Sequence, residues 1–387
     1  MKKAVLIALM ILLAASLAAC GSGSEDTHQY KAKVVSAIDE SYEEDGKFYS
    51  TQELTIVFTE GPYEGRSFET GVFLDMANYN DIVLYRTGDT VIAAAFEADD
   101  GTVDYVSVMT LYRVPYIIIL AAVFLVLIGI IGRFKGLKTI LALVFTVCAV
   151  VFALVPLIAN GYDPILSAAL VCIVISIVTL LAVGGFNRKA LTAILGTIGG
   201  LLCAGAITLI FSALMRISGL DTGEVGLLMV ADTDVVLNYQ GILTAGILIG
   251  CIGAVMDVGM SISSAVNELV VIDPTLAHRQ LFKSGIAVGK DIIGTMANTL
   301  ILAYTGGSIM LMVVWSVYDI SFADMLNKGF IAIEVAKSLC GSIGMVMTIP
   351  LTALLASRLL PADFHRHKHH KHDEPEEALS EAPQEEE

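Results

Sequence analysis

From residue 115 onward the chain is a series of apolar runs separated by short polar breaks, at roughly 115–132, 137–157, 164–183, 190–214, 241–264, 291–315 and 335–357. Each reaches or approaches the ~20 apolar residues that a helix needs to span a bilayer. The pattern predicts a bundle of seven transmembrane helices over 114–358. Ahead of the bundle the pattern changes. Runs at Tyr30–Ser36, Leu54–Thr59, Ser67–Leu74, Val91–Glu97 and Val103–Met109 are rich in β-branched and aromatic residues, and Asp45-Gly46, Glu60-Gly61-Pro62, Gly88-Asp89 and Asp99-Asp100-Gly101 punctuate them. Five short strands at this spacing predict a small β-barrel-like domain over 29–113, similar to an OB-type fold. Tyr30, Phe58, Phe68, Phe73 and Phe96 are its expected core.

Basic residues orient the bundle. Arg133, Lys135 and Lys138 lie between the first two runs, Arg188 and Lys189 between the third and fourth, Arg279, Lys283 and Lys290 between the fifth and sixth, and Arg358 follows the seventh. The connection at 215–240 instead carries Asp221, Glu224, Asp232 and Asp234. Lys and Arg collect on the cytoplasmic side, so alternate loops face the cytoplasm, the β domain lies outside and the C-terminus inside. An odd number of spans joins those two ends.

Two of the apolar runs carry acidic residues that lipid does not tolerate cheaply. In the fifth, Asp257, Ser261, Ser264 and Glu268 fall at i, i+4, i+7 and i+11, on one helix face, below Gly246, Gly250 and Gly253. In the sixth, Asp291, Thr295 and Asn298 share a face. A carboxylate at the bilayer centre costs roughly 2.5–3.5 kcal/mol even on insertion scales, and such residues usually face a bundle interior or a watery cavity. Packing explains the serines and Thr295, because hydroxyls join helices; it explains Asp257 poorly. Counted from an inner end near residue 264, Asp257 lies about 10 Å deep at ~1.5 Å per residue. If the two helices touch, Asp257, Ser261, Ser264, Asp291, Thr295 and Asn298 form an oxygen-rich path suited to a hard cation or a proton relay. Lys290, beside Asp291, could simply neutralise it. At the start of the seventh run, Glu334 and Lys337 form an i, i+3 pair that reads as a self-neutralised charge at the outer boundary.

The termini add location. Met1-Lys2-Lys3, an apolar run from Ala4 to Leu13 and the small-residue site at Leu17-Ala18-Ala19-Cys20 make a secretory signal over 1–19. The Leu-Ala-Ala-Cys ending resembles the bacterial lipobox, which makes Cys20 the expected lipidated residue of a tether over 20–28; an uncleaved signal anchor is the alternative. The tail, 359–387, is charged and poor in apolar residues, hence expected to be disordered. It gathers His365, His367, His369, His370 and His372, a density that binds zinc or nickel weakly, unless the run is only a solvated basic patch near anionic lipid head groups. The other five cysteines stand singly in apolar runs, without metal-type spacing. At 56% hydrophobic and 16% charged residues, with mean hydropathy +0.75, the composition is that of a membrane protein.

Phosphate-cradling loops, His-Glu-x-x-His and Gly-x-Ser-x-Gly are absent from the sequence. Intramembrane aspartyl proteases use Tyr-Asp and Gly-x-Gly-Asp, which neither Met256-Asp257 nor Gly289-Lys290-Asp291 matches. The chain is therefore read as no enzyme, with no cofactor and no nucleic-acid partner; its expected partners are the lipid bilayer, an ion or small solute, and a protein that docks on the outer β domain.

The segments Gly253-Ala254-Val255-Met256-Asp257-Val258-Gly259-Met260-Ser261 and Gly289-Lys290-Asp291-Ile292-Ile293-Gly294-Thr295-Met296-Ala297-Asn298-Thr299 resemble the YibE/F-like family of bacterial integral membrane proteins. The Gly61-Pro62-Tyr63-Glu64-Gly65 turn and the Tyr112-Arg113 lead into the first span are also similar to it. The resemblance implies a multi-span protein of the bacterial cell membrane, in a family whose function is largely unassigned and often taken to be transport. Two readings follow: a secondary permease or ion-coupled exporter with its path along the fifth and sixth spans, or a non-transporting assembly or signalling component whose outer β domain binds a partner. For the tail, deleting the residues after Pro361 should leave insertion and folding intact while abolishing weak zinc or nickel binding by the purified protein. Unchanged metal binding in the truncated chain would reject metal capture.

Overall fold

The structure, a computed structural model, describes residues 29–44, 47–74, 84–98, 102–220, 236–318 and 320–361. Cys20, the five tail histidines and the acidic residues Asp221, Glu224, Asp232 and Asp234 lie outside these residues. The chain divides into two compact units, one ending at Ile131 and one beginning at Gly132.

In the first unit, β1 (Gln29–Glu44), β2 (Lys47–Phe58), β3 (Ser67–Leu74), β4 (Thr90–Glu97) and β5 (Val103–Leu111) form one antiparallel sheet in the order β3-β2-β1-β4-β5. The sheet curls until its edges meet: Thr70 Oγ1 on β3 donates to the Val106 carbonyl on β5 at 2.6 Å. Alternation along β2 explains the burial, since Gln52, Leu54, Ile56 and Phe58 point inward. Gln52 is the polar member of that row and is satisfied like a strand partner. Its Nε2 donates to the Tyr85 carbonyl at 2.9 Å and its Oε1 accepts from the Tyr85 amide at 2.9 Å. β1 and β2 pair well beyond the apolar runs, from Ala37 opposite Leu54 to Glu44 opposite Lys47; that extension mixes acidic and aromatic residues without a clean hydrophobic alternation. Gly61 turns with φ +87°, where a side chain would strike the Tyr30 ring. Phe58 packs against Tyr63 and Phe68 with centroids 5.8 and 5.6 Å apart. Burial and a hydrogen bond to Glu97 hold the Tyr63 hydroxyl, the bond being the larger cause of its pKa rising above the usual value. The core expectation fails for Phe96, which stacks at 4.3 Å on the largely exposed Tyr105 instead, because its position in β4 falls in the half-exposed phase of the alternation. Phe73 falls outside the described side chains.

Among the described residues six helices are long and apolar enough to cross a membrane. The first is α1 (Val114–Ala149), continued by a π-helical segment (Val150–Leu154) and α2 (Val155–Ala159). It contains both of the first two predicted runs. Its 46 residues are more than twice the ~20 that one bilayer crossing takes, and Arg133 leaves helical geometry at φ 48°, ψ −130°, so two helices meet there at a kink. The others are α3 (Pro164–Gly184), α4 (Arg188–Leu214), α5 (Tyr239–Ile272), α6 (His278–Gly307) and α9 (Gly329–Leu359), with the short α7 (Ile309–Val317) and α8 (Phe322–Leu326) between the last two. Asp163, Asn187 and Asn238 cap α3, α4 and α5, each side-chain oxygen accepting a backbone amide at 2.8–2.9 Å. The run expected at 291–315 begins earlier, at His278, and breaks at Ser308: Arg279, Lys283 and Lys290 ride on the helix rather than in a loop.

α4 and α9 make the closest helix contact. Gly196, Gly200 and Ala204 face Thr352, Thr348 and Gly344, a small-residue repeat on each helix. A Cβ at Gly200 would lie 3.0 Å from the Gly344 carbonyl oxygen, and one at Gly344 would lie 3.0 Å from the Gly200 carbonyl oxygen. Gly344 is therefore a packing glycine, and Gly341 likewise meets Cys251 and Leu300. At the basic end of the bundle, Arg188 donates to the Leu359 carbonyl at 3.1 Å and His278 Nδ1 meets the Ser357 carbonyl at 2.5 Å. Residues from the first turns of α4 and α6 thus satisfy carbonyls at the end of α9. Gly200→Ala should destabilise the protein in detergent by about 1–3 kcal/mol through overpacking. Gly246→Ala, with nothing within 4 Å of the added methyl, should stabilise it by roughly 0.5–1 kcal/mol. Equal melting shifts for the two would contradict the seam.

Candidate functional site

α5 has two faces of different chemistry. Cys251, Val255, Val258, Ile262 and Val266 are buried in the bundle. Ser263, also buried, donates to the Lys189 carbonyl at 2.7 Å and ties α5 to α4. The opposite face presents Gly246, Gly250, Gly253, Asp257 and Ser261, all exposed, then half-buried Ser264 and exposed Glu268. α6 is divided the same way. Gly285 and Gly289 let it close on Ala353 and Ile349 of α9, while Asp291, Thr295 and Asn298 are exposed. Thr295 Oγ1 donates within its own helix, to the Ile292 carbonyl at 3.1 Å.

The two stripes therefore lie on the outward faces of consecutive, antiparallel helices. The tight connection Asp273–Ala277 joins them; there Asp273 accepts from the Thr275 hydroxyl at 2.6 Å and the Thr275 amide at 2.9 Å, which holds its carboxyl below the usual range. Asp257 lies fifteen residues before Ile272 and Asp291 thirteen after His278, about 20–22 Å along each helix at ~1.5 Å per residue. Both sit at mid-helix. α5 continues beyond the run expected to end at residue 264, through Asn267 and Glu268 to Ile272, so the helix extends past the end from which the 10 Å depth of Asp257 was counted. Among the described residues no hydrogen bond or ion pair reaches the Asp257 carboxylate, and none joins Lys290 to Asp291. The serine expectation divides: Ser263 joins helices, Ser261 does not.

A second, mainly apolar cleft was not anticipated from sequence. Tyr304, Thr305 and Ser308, where α6 gives way to α7, and Glu334 and Ser338 on α9 line a cleft of about 190 Å³. Ser308 and Ser338 are more than nine-tenths buried, and the Tyr304 hydroxyl is buried without a hydrogen-bond partner. It reaches toward α5, where a methyl at Gly250 would collide with it. Glu334 Oε1 accepts from Lys337 Nζ at 2.6 Å, so the pair read at 334 and 337 forms. The sequence signals were the Glu334/Lys337 pair and two i, i+4 pairs, Tyr304/Ser308 and Glu334/Ser338, a helix apart. Near this end Lys328 stands 5.6 Å over the Trp315 ring, and Trp315 packs on Phe330 at 5.3 Å, an aromatic–basic grouping suited to a head-group layer. Among the described residues no group of three or more His, Cys, Asp or Glu is placed to hold a metal.

One family model, described as YibE/F-like protein, matches residues 120–362. The match contains both acidic stripes and the cleft; it begins inside α1, so the turn at Gly61–Gly65 is outside it. No curated protein and no solved structure matches the chain.

Proposed function

The chain belongs to the YibE/F-like family, and on that premise we propose that it is an ion-coupled permease of the bacterial cell membrane whose path follows the outward face shared by α5 and α6. The observation that carries this reading is the pair of carboxylates, Asp257 and Asp291, each near the middle of its helix on neighbouring helices, exposed and without a hydrogen-bond or ion-pair partner among the described residues. Lipid alone is a poor surround for either. Water, an ion or a second polar surface must meet them, and a carboxylate that titrates or binds a cation is what coupling to an ion gradient requires. With no nucleotide-binding motif in the sequence, the work comes from an ion gradient or from a partner ATPase.

In this reading the break at Arg133 divides the long first helix into two crossings, giving seven spans with the β domain outside and the C-terminus inside. The cyclic strand order β1-β2-β3-β5-β4 supports an OB-type barrel, tethered through a lipidated Cys20. A second reading has one observation of its own: Gly246 and Gly253 leave open space above Asp257, which suits close approach by a helix of another protein and so an assembly role.

Asp257→Asn separates the two. The amide keeps the volume and loses the charge, so insertion and melting temperature should stay near wild type while ion-coupled flux in proteoliposomes falls by roughly tenfold or more. A stable variant with full flux would exclude Asp257 as the coupling group. The topology has its own test. A cysteine placed between Asp221 and Asp234 should react with an impermeant reagent from outside, and one at Arg279 should not; outside labelling at Arg279 would overturn the orientation.

A further inference from the structure

We propose that the cleft between α6, α7 and α9 is a lipid site, in which one acyl chain of an anionic phospholipid lies in the cleft and the Lys328 ammonium meets the phosphate. The cleft is an apolar slot. Ile301 of α6, Met312 of α7 and Ile331, Val335 and Leu339 of α9 supply its apolar wall, and the surface it opens is mainly apolar. Its polar groups are largely committed to the protein. The Ser308 hydroxyl donates to the Tyr304 carbonyl at 3.2 Å. The Tyr304 hydroxyl is buried and aimed at Gly250, and Glu334 Oε1 accepts from Lys337 Nζ at 2.6 Å. An occupant is left with hydrocarbon contact, and an alkyl chain asks for nothing else.

A cation stands at one end of the slot. One turn beyond Met312 on α7 is Trp315, and one turn before Ile331, at the start of α9, is Lys328. The Lys328 ammonium lies 5.6 Å over the Trp315 ring, so the two helices bring an amine and an indole together just past the apolar wall. Lys328 is exposed, and among the described residues no carboxylate pairs with it. Indole beside amine is the chemistry of the interfacial layer, where lipid phosphate is the charge at hand. From Ile331 to Leu339 the slot follows α9 for about 12 Å at ~1.5 Å per residue, close to one leaflet, half of a ~30 Å hydrocarbon core. A chain that enters beside Lys328 therefore keeps its phosphate at the cation and its methylenes along the wall. Phosphatidylcholine offers the same phosphate with a quaternary amine that Lys328 repels, so a lone lysine favours an anionic lipid. The room suits a single chain. A helix ~10 Å across fills roughly 900 Å³ over the same length, against about 190 Å³ in the cleft.

Lipid binding here rests neither on transport nor on which end of the bundle faces outward. Trp315 is the only tryptophan in the chain, and it marks the slot. The test reconstitutes the full chain in vesicles of phosphatidylcholine and phosphatidylglycerol, with one lipid or the other brominated along its chains. Quenching of Trp315 is measured against the unbrominated mixture of the same composition, which yields the binding constant of phosphatidylglycerol relative to phosphatidylcholine. That ratio should be about five in the wild type and near one in Lys328→Gln. Thr305 is exposed and lines the cleft, so Thr305→Phe should fill the slot and weaken quenching by both lipids. Equal ratios in the wild type and Lys328→Gln would overturn the phosphate contact, and undiminished quenching in Thr305→Phe would overturn the slot. A Trp315 that no brominated lipid quenches, in a chain that runs as a dimer in detergent, would assign the cleft to a second copy instead. Should Lys328→Gln fail to reconstitute, the wild type in about 1 M NaCl takes its place, because salt screens an interfacial charge; a ratio that salt leaves unchanged counts against the proposal.

Discussion

The approach of α4 to α9 is the contact on which the bundle depends. In lipid, apolar side chains gain nothing by leaving hydrocarbon for protein, so helices associate through close fit and polar bonds. Gly200 and Gly344 let the two backbones come within a carbonyl's reach of each other, and Thr348 and Thr352 fill the space that the glycines vacate. Once that seam is fixed, α5 meets α4 through Gly259, where an added methyl would lie 3.1 Å from the Thr197 hydroxyl, and α6 meets α9 through Gly285 and Gly289. Glycines thus occupy the inner face wherever two helices cross closely. The acidic stripes lie on what is left over.

That division explains how much of the architecture could be read from the chain. Apolar runs locate membrane helices because lipid forbids unsatisfied backbone over the whole crossing, and α3, α4 and α5 begin within two residues of their predicted starts. The barrel strands were equally legible where alternation is hydrophobic, as along Leu54, Ile56 and Phe58. Both fail where structure continues through polar residues. α6 runs thirteen residues ahead of its apolar stretch, since Arg279, Lys283 and Lys290 are good helix formers on an exposed face, and the β1–β2 hairpin arm is held by backbone pairing that leaves no mark on side-chain polarity.

The site residues divide along the same physical line. A carboxylate in an apolar run is visible in one dimension, so Asp257 and Asp291 needed no structure to be singled out. Which way each faces is a different matter. Ser261 and Ser263 are two residues apart, one exposed and one bonded to Lys189, and only the neighbours of α5 decide between them. The cleft was less legible still. Tyr304 and Glu334 are thirty residues apart, Glu334 stands out in sequence only as the partner of Lys337, and its relation to Tyr304 exists only because α6 breaks at Ser308 and the chain returns along α9.

The stripe and the cleft meet at Gly250. It belongs to the α5 face that carries Asp257, seven residues or about 10 Å further along the same helix, and its missing side chain is the space into which the Tyr304 hydroxyl reaches. Tyr304 in turn lines the cleft with Glu334. A line of small or polar groups therefore runs from Asp257 through Gly253 and Gly250 to Tyr304 and on to Glu334, from mid-helix to the end where Trp315 and Lys328 gather. The glycines are the informative part of that line. A helix packed only against lipid gains nothing from three glycines in succession on one face, and each costs helix stability relative to alanine; a face that must leave room for a tyrosine hydroxyl, and for whatever covers the carboxylate below it, has a reason to keep them.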